Sequence, residues 1–260
     1  MTIRGCLEAL NERSATVFLI LLLCADLAFL GMHFITAIIG DSKWILESNL
    51  LKRVFAALLD CELFNIDRER GYAEMYQYMK FFWIIVLLFN LALKNRLLHY
   101  IPWILLFTYL LLDDSIPIHN RAGSFLAEYF NFTHTFGLRP SDYGQLVISA
   151  IAGIFLFLPL VWAYRKGTQV FRKISLDIGL LVLVLAFFGV VVDVLHSAVL
   201  FVNIVDFTMG FVEEGGEMLT VSFVLWYIFL LNVRGTNAGC YLCDFVRIVL
   251  TRRPTRKTRI

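Results

Sequence analysis

The feature that most constrains this chain is a series of long apolar runs that carry few or no charges. About 20 apolar residues in a helix cross the roughly 30 Å hydrocarbon core of a bilayer, and several runs here reach or approach that length. The composition agrees, because 59% of the residues are hydrophobic and 17% are charged. In soluble domains about 45 to 50% of the residues are hydrophobic and about 25% are charged. The runs are continuously apolar, whereas strands of a membrane β-barrel alternate in polarity. We therefore predict an all-α, polytopic transmembrane helical bundle.

Six stretches are predicted to span the membrane: residues 15–39, 76–95, 97–114, 143–164, 176–202 and 213–234. Between the first two, residues 44–64 place Leu46, Leu50, Val54 and Leu58 at four-residue spacing. That spacing puts the four side chains on one helical face. We expect an amphipathic helix there, lying on the outward-facing surface of the membrane or capping the bundle.

The placement of basic residues predicts the orientation of the bundle. Residues 1–236 are expected to form one six-span domain, and residues 237–260 a short basic tail. When loops are counted alternately, 15 of the 23 Lys and Arg residues fall on one side. Because basic residues stay cytoplasmic, both termini are predicted to lie on the cytoplasmic side. The membrane is predicted to be a plasma membrane or a bacterial inner membrane. The tail is expected to contact anionic lipid headgroups, and no nucleic acid, since it lacks aromatic interleaving.

Ionisable residues inside the predicted spans indicate a functional site. Each costs roughly 2.5 to 3.5 kcal/mol in hydrocarbon, so each needs a partner or a purpose. On the predicted topology, seven of them gather at similar depth toward the outer ends of four helices. These seven are His33, Asp114, His119, Asp193, His196, Glu214 and Glu217. Supporting positions are Asp26, Glu74, Asp113 and Glu213.

Three interpretations fit this cluster. The first is a divalent metal site for Zn²⁺ or Fe²⁺, because imidazoles and carboxylates are the ligands that these ions use. Asp193 and His196 also have the i, i+3 spacing found in helical di-iron bundles. The metal ligands would be His33, Asp114, His119, Asp193 and His196. The second interpretation is an ion or proton pathway. The third is a structural network in which these groups pair with one another and with Lys80 or Arg121.

Four short motifs resemble those of a broad group of uncharacterised bacterial six-helix membrane proteins. That group carries D-x-E in an outer segment, D-[DE]-x-x-x-I-H-E at the end of a span, a glycine followed by an acid in the fifth span, and E-E-x-x-E-M opening the last. The matching stretches are Asp60–Glu62, Asp113–Asn120, Gly189–Asp193 and Glu213–Met218. The chain departs from the pattern at Asn120, where the group has glutamate. The resemblance implies a six-helix architecture and the location of the site, and it implies no activity.

The proposed chemistry is also analogous to that of alkaline-ceramidase-like intramembrane metal hydrolases, which build a zinc site from Asp and His on several spans. Their H-x-x-x-H pair is missing here. The leading hypothesis is an outward-facing site that hydrolyses a lipid or lipid-linked substrate through a metal-bound water. Glu214 or Glu217 would act as the general base. The zinc ligands would be His119, His196 and either Asp193 or Asp114.

Two further functional classes use the same residues differently. One is a cation- or proton-coupled transporter or channel subunit, in which the carboxylates bind a cation or relay protons. The other is a non-catalytic membrane partner or effector that assembles with a second copy or with another membrane protein.

Overall fold

A computed structural model of the chain describes residues 3–41, 63–64, 66, 70–95, 98–116, 118–133, 139–198 and 203–234. This part of the chain is helical and has no strand. Its helices are α1 (Ile3–Asp41), α2 (Tyr72–Asn95), α3 (Ile101–Ser115), α4 (Ile118–Tyr129), α5 (Pro140–Lys166), α6 (Gln169–Ala186), α7 (Asp193–Ala198) and α8 (Asn203–Arg234). A 3₁₀ turn, Leu98–Tyr100, precedes α3, and a π-helical segment, Phe187–Val192, joins α6 to α7. The predicted all-α fold is confirmed.

Five helical stretches are long and apolar enough to cross a membrane by themselves. They are Arg13–Ile35, Tyr72–Lys94, Pro140–Lys166, Gln169–His196 and Phe207–Arg234. A sixth forms if Leu98–Ser115 and Asn120–Tyr129, which are bent by 76° to each other, count as one span. The predicted amphipathic helix 44–64 lies outside the described residues except for its last two, which form a turn. The predicted tail, 237–260, also lies outside them.

The chain bends into α4 directly after the third predicted span. Ile116 leaves the helical region, with φ −127° and ψ 60°. It precedes Pro117 in the sequence, and a residue before proline is disfavoured in the α conformation. α3 nevertheless passes through the bundle. Trp103, near its start, donates to Ser175 Oγ at 3.0 Å, and the carbonyl oxygen of Asp114, near its end, lies 2.9 Å from the Tyr78 hydroxyl.

The bundle has two chemically different ends. The basic end holds the last turns of α2, α5 and α8 and the first turn of α6, with Lys94, Arg165, Arg172 and Arg234. Arg172 donates to the carbonyls of Tyr164 at 3.0 Å and Arg165 at 2.7 Å, which caps α5. The acidic end holds the first turn of α2, the end of α3, α7 and the first half of α8.

α8 is the central helix and α5 is peripheral. In the most apolar stretch of α8, 56% of the residues are buried, against 6% in α5. Val221, Val224, Leu225 and Ile228 recur at the three- and four-residue spacing that places them on one buried face of α8. The exposed apolar side chains of α5 suit a hydrocarbon environment.

α4 and α5 are in close backbone contact at the acidic end. A Cβ on Gly144 would overlap the carbonyl group of Gly123. Small residues permit helices in membranes to approach this closely. At the same end, the backbone N–H of Arg139 donates to Asp142 Oδ2 at 2.8 Å and so caps α5. α4 is therefore fixed against the first turns of α5.

Candidate functional site

A cavity of about 590 Å³ lies between α2, α3, α5 and α8 and the helix formed by α6, the π-helical segment and α7. Its lining includes seven carboxylates, contributed by α2, α3, α7 and α8. These are Glu74, Asp113, Asp114, Asp193, Glu213, Glu214 and Glu217. Among the described residues that line the cavity, Arg70 alone carries a permanent positive charge. The cavity is therefore strongly acidic. We call it the acidic cavity.

Tyr78 ties the α2 wall of the acidic cavity to the α3 wall. Its hydroxyl donates to Glu74 on its own helix and also contacts the carbonyl oxygen of Asp114 at 2.9 Å. Glu74 additionally accepts from the backbone N–H of Arg70. The position of one carboxylate is therefore coupled to the end of α3.

Glu217 lies against the π-helical segment, where Gly189 makes room for it. A Cβ on Gly189 would overlap Glu217 Oε1, and one on Gly216 would overlap the Phe188 ring. Single π-helical turns within α-helices occur frequently at functional sites. Glu217 also interacts electrostatically with other lining carboxylates, namely Glu213, Glu214, Asp114 and Asp193. Neighbouring negative charges repel one another, and bound cations or protons relieve that repulsion.

Gln77 presents a buried acceptor that has no partner. Its side chain is 6% exposed and lines the acidic cavity. Within the described part of the chain, Oε1 accepts no hydrogen bond. A buried polar group left in this state costs about 1 to 3 kcal/mol. A ligand carrying N–H or O–H groups, or a metal ion, would satisfy it.

The structure brings the predicted carboxylates together and places two of the predicted imidazoles elsewhere. Asp114, Asp193, Glu214 and Glu217 line the acidic cavity, as do the supporting Glu74, Asp113 and Glu213. His33 and His196 are not among its lining residues. His33 stacks on Phe207 at 5.1 Å and accepts from the Ile66 N–H at 3.3 Å. His196 Nδ1 lies 2.8 Å from Glu213 Oε2. His119 belongs to α4, and its side chain lies outside the described residues.

Asp26 also lies away from the acidic cavity, in a buried network between α1, α2 and α8. It forms an ion pair with Lys80 at 3.0 Å and accepts from Ser222 at 2.6 Å. Lys80 donates in addition to the carbonyl of Met218 at 2.8 Å. Asp26 and Lys80 are 0% and 1% exposed, so this pair is shielded from solvent and lipid. We call Asp26, Lys80 and Ser222 the ion-pair network.

Comparison with known families decides the family of the chain. The family model described as domain of unknown function DUF8692 matches residues 15–233. The chain belongs to this family. No curated protein and no solved structure matches it. The DUF8692 match takes in every carboxylate of the acidic cavity, and the description assigns no activity to the family.

The described residues of this DUF8692 protein do not form a ready-made metal centre. Among them, no group of three or more His, Cys, Asp or Glu side chains is arranged to hold a metal ion. The Zn²⁺ or Fe²⁺ ligands expected from the sequence were three imidazoles and two carboxylates. The two of these imidazoles that are described, His33 and His196, make other contacts.

Three polar groups of this DUF8692 protein were not predicted from the sequence. Gln77 was missed because it is uncharged, although it stands three residues after Glu74 and so shares its helical face. Arg70 precedes the predicted second span. Asp177, near the basic end, is buried and accepts from the Tyr227 hydroxyl at 2.5 Å. A search for every polar side chain on the faces of the predicted acids would have found Gln77.

Proposed function

We propose that this chain is an integral membrane protein that binds a cation in the acidic cavity. The observation that carries the proposal is the gathering of seven carboxylates from four helices around one cavity. Gln77 is buried beside them, and its oxygen accepts no hydrogen bond from a described residue. Acids gathered inside a bundle repel one another, and intramembrane carboxylates typically mark ion or substrate sites. A cation bound there offsets that repulsion.

The oxygen ligands suit an ammonium group or a hard cation, although no three described His, Cys, Asp or Glu side chains are arranged to hold a metal ion. Carboxylate and amide oxygens are the ligands that Ca²⁺, Mg²⁺ and Mn²⁺ prefer. They also accept charge-assisted hydrogen bonds from protonated amines. Glu217 is the central group, because it interacts with four other carboxylates.

The bent pair of α3 and α4 favours transport as the second candidate function. Asp113, Asp114 and Ser115 line the acidic cavity at the end of α3, and Asn120 lines it from α4. Transporters commonly bind their ions where a helix is interrupted. On this proposal the acidic cavity is one station of a cation- or proton-coupled path.

Metal-dependent hydrolysis of a lipid is a separate proposal. Its support is the apolar wall that continues the acidic cavity away from the carboxylates, where an acyl chain would fit. His119, His196 and either Asp193 or Asp114 would hold the metal, and Glu214 or Glu217 would handle the proton. Elemental analysis of the purified protein tests it, and a content far below one zinc or iron per chain would remove it.

The orientation with the acidic end outside and both termini in the cytoplasm is likewise a proposal. Its support is the concentration of Lys94, Arg165, Arg172 and Arg234 at the opposite end of the bundle. Accessibility of an epitope at residue 260 in intact cells, compared with permeabilised cells, tests it. Labelling of intact cells would overturn it.

Calorimetric titration of the protein in lipid nanodiscs tests cation binding. The ligands are Ca²⁺, Mn²⁺ and tetramethylammonium, each measured against empty nanodiscs. We expect saturable binding of at least one cation, weakened by about tenfold or more in Glu217→Gln, which is about 1.4 kcal/mol. Glu128→Gln is the matched control, because Glu128 is exposed on α4 and outside the acidic cavity. Absence of saturable binding by all three ligands would contradict the proposal.

A further inference from the structure

The acidic cavity changes from polar to apolar along its length. On α5 the lining residues run in the order Gln145, Ser149, Gly153, Leu156, Phe157 and Leu160. Residues 145 and 160 are about 22 Å apart along the axis of a helix at 1.5 Å per residue. The first two of these side chains are polar and the last three are apolar. One helix therefore carries both kinds of wall.

The neighbouring helices show the same change from polar to apolar with distance from the acidic end, although their chains run toward that end. On α3, Leu106 and Leu110 precede Asp113 and Asp114, and the acids lie at the acidic end. On the helix that continues α6, Val182 and Leu185 precede Gly189 and Asp193. Three walls thus place polar groups at the acidic end and apolar groups deeper in the bundle. We call the deeper part the apolar arm.

A small hydrated cation would use only one end of this space. The carboxylates and Gln77 would surround it, and the apolar arm would gain nothing from its binding. An apolar wall becomes useful when it removes hydrocarbon from water, at roughly 0.8 kcal/mol per buried CH₂ group. The graded lining therefore fits a molecule with a charged head and a hydrocarbon chain.

We propose that the acidic cavity takes a cationic amphiphile, an amine or quaternary ammonium head attached to a hydrocarbon chain. This inference rests on the proposed function and names its ligand class. The head is cationic because the described residues that line the cavity carry seven carboxylates and one guanidinium, that of Arg70. A phosphate or sulfate head would face repulsion from the same groups.

The amphiphile enters sideways from the hydrocarbon. Phe157 lines the apolar arm and is also 62% exposed, so the arm reaches the lipid-facing surface of α5. Gly153 adds space at the same wall, since a Cβ placed on it meets no atom within 4 Å. A chain lying in the bilayer can therefore slide into the arm while its head moves to the carboxylates.

A chain-length series in nanodiscs tests the proposal. Tetramethylammonium, butyltrimethylammonium and dodecyltrimethylammonium share one head and differ in the chain, and dodecyl sulfate carries the opposite charge. After subtraction of partition into empty nanodiscs, we expect dodecyltrimethylammonium to bind at least about tenfold more tightly than tetramethylammonium. Dodecyl sulfate should show no saturable binding. Equal affinities across the series, or equal binding of the sulfate, would overturn the proposal.

Filling the arm supplies the second test. Gly153→Leu places a branched side chain in the arm, so it should remove the chain-length advantage, measured as the ratio of the dodecyltrimethylammonium and tetramethylammonium affinities. Gly31→Leu is the matched control, because a Cβ on Gly31 of α1 also meets nothing within 4 Å and Gly31 does not line the acidic cavity. A retained advantage in Gly153→Leu would overturn the lateral site.

The two failures are distinguishable. If tetramethylammonium or Ca²⁺ binds in a Glu217-dependent way and chain length has no effect, the amphiphile is wrong and cation binding stands. If no short cation, metal ion or long-chain ammonium binds, both proposals fail.

Discussion

Two groups of buried polar side chains meet on α8, and they are built in opposite ways. The ion-pair network balances one carboxylate against one ammonium and satisfies both with further hydrogen bonds. The acidic cavity gathers acids from four helices, and the buried oxygen of Gln77 accepts no hydrogen bond from the described part of the chain. An ion pair holds helices together, whereas carboxylates that share a cavity repel one another, and a bound cation offsets that repulsion. The contrast separates a structural use of charge from the ligand-binding use that we propose within the same bundle.

Breaking the ion-pair network should give the largest loss of stability. Asp26→Ala leaves the Lys80 ammonium buried without its partner, which costs about 3 to 5 kcal/mol. We expect a large fall in the unfolding midpoint in mild detergent. The double variant Asp26→Leu with Lys80→Met should recover most of it, because it removes both charges. An unchanged midpoint for Asp26→Ala would erase the distinction between the two groups.

Gln77→Leu should act in the opposite direction. It removes a buried acceptor that lacks a partner, so the free energy of unfolding without ligand should rise by about 1 to 3 kcal/mol. Cation affinity should fall, because one ligand oxygen is lost. Equilibrium unfolding and titration of the same preparation measure the two effects.

The matched comparison for Gln77 is Asn232→Leu. The Asn232 amide donates to the carbonyls of Leu87 at 3.1 Å and Ile228 at 2.9 Å, so its loss should destabilise the fold. If both substitutions destabilise to a similar extent, Gln77 is part of the structure and the proposed ligand oxygen is not supported.

Gly189→Ala should have the smallest effect on stability and a clear one on binding. The added methyl group overlaps Glu217 Oε1 and displaces the carboxylate. The gain in helix propensity, about 1 kcal/mol, offsets part of the strain. We expect cation affinity to fall severalfold, as measured by titration.

Gly179→Ala serves as the control for Gly189→Ala on the same helix. There a Cβ would contact Trp103 at an ordinary 3.8 Å, away from the acidic cavity. Equal affinities for the two alanine variants would show that Glu217 needs no space at Gly189.

The bundle could be predicted from the sequence because span length and apolar content are local properties. The rotation of each helix about its axis is not local, and it decides which side chains meet. Asp26 and His33 are seven residues apart and share a face of α1, and that face meets Lys80, Ile66 and Phe207. The acids of α3 and α8 line the acidic cavity as predicted, whereas Asp26 pairs with the Lys80 ammonium. The metal and catalytic roles of all these residues stay predictions.

The bend after α3 had a sequence signal that span counting passed over. Pro117 follows Ile116, and proline disfavours a helical residue before it. The predicted boundary of 114 was therefore close to the end of α3 at Ser115, while the short helix that follows it was not predicted. The polarity gradient of the acidic cavity was also out of reach, because it depends on which faces of separate helices lie opposite one another.

The two attachments of α5 limit what can pass beside it. Near its start, Gly144 lies against Gly123, and near its end Arg172 holds the carbonyls of Tyr164 and Arg165. Between these anchors the helix is exposed, and it contains Pro159, which removes one backbone hydrogen bond. Because α5 is held at both ends, it bends only in its middle. The opening beside it therefore has a fixed length along the helix axis and a variable width. On the proposed lateral entry, a slender single chain needs little bending of α5, while a branched or paired chain needs far more. Thickness would therefore decide which molecules enter, and chain length how tightly they bind once inside.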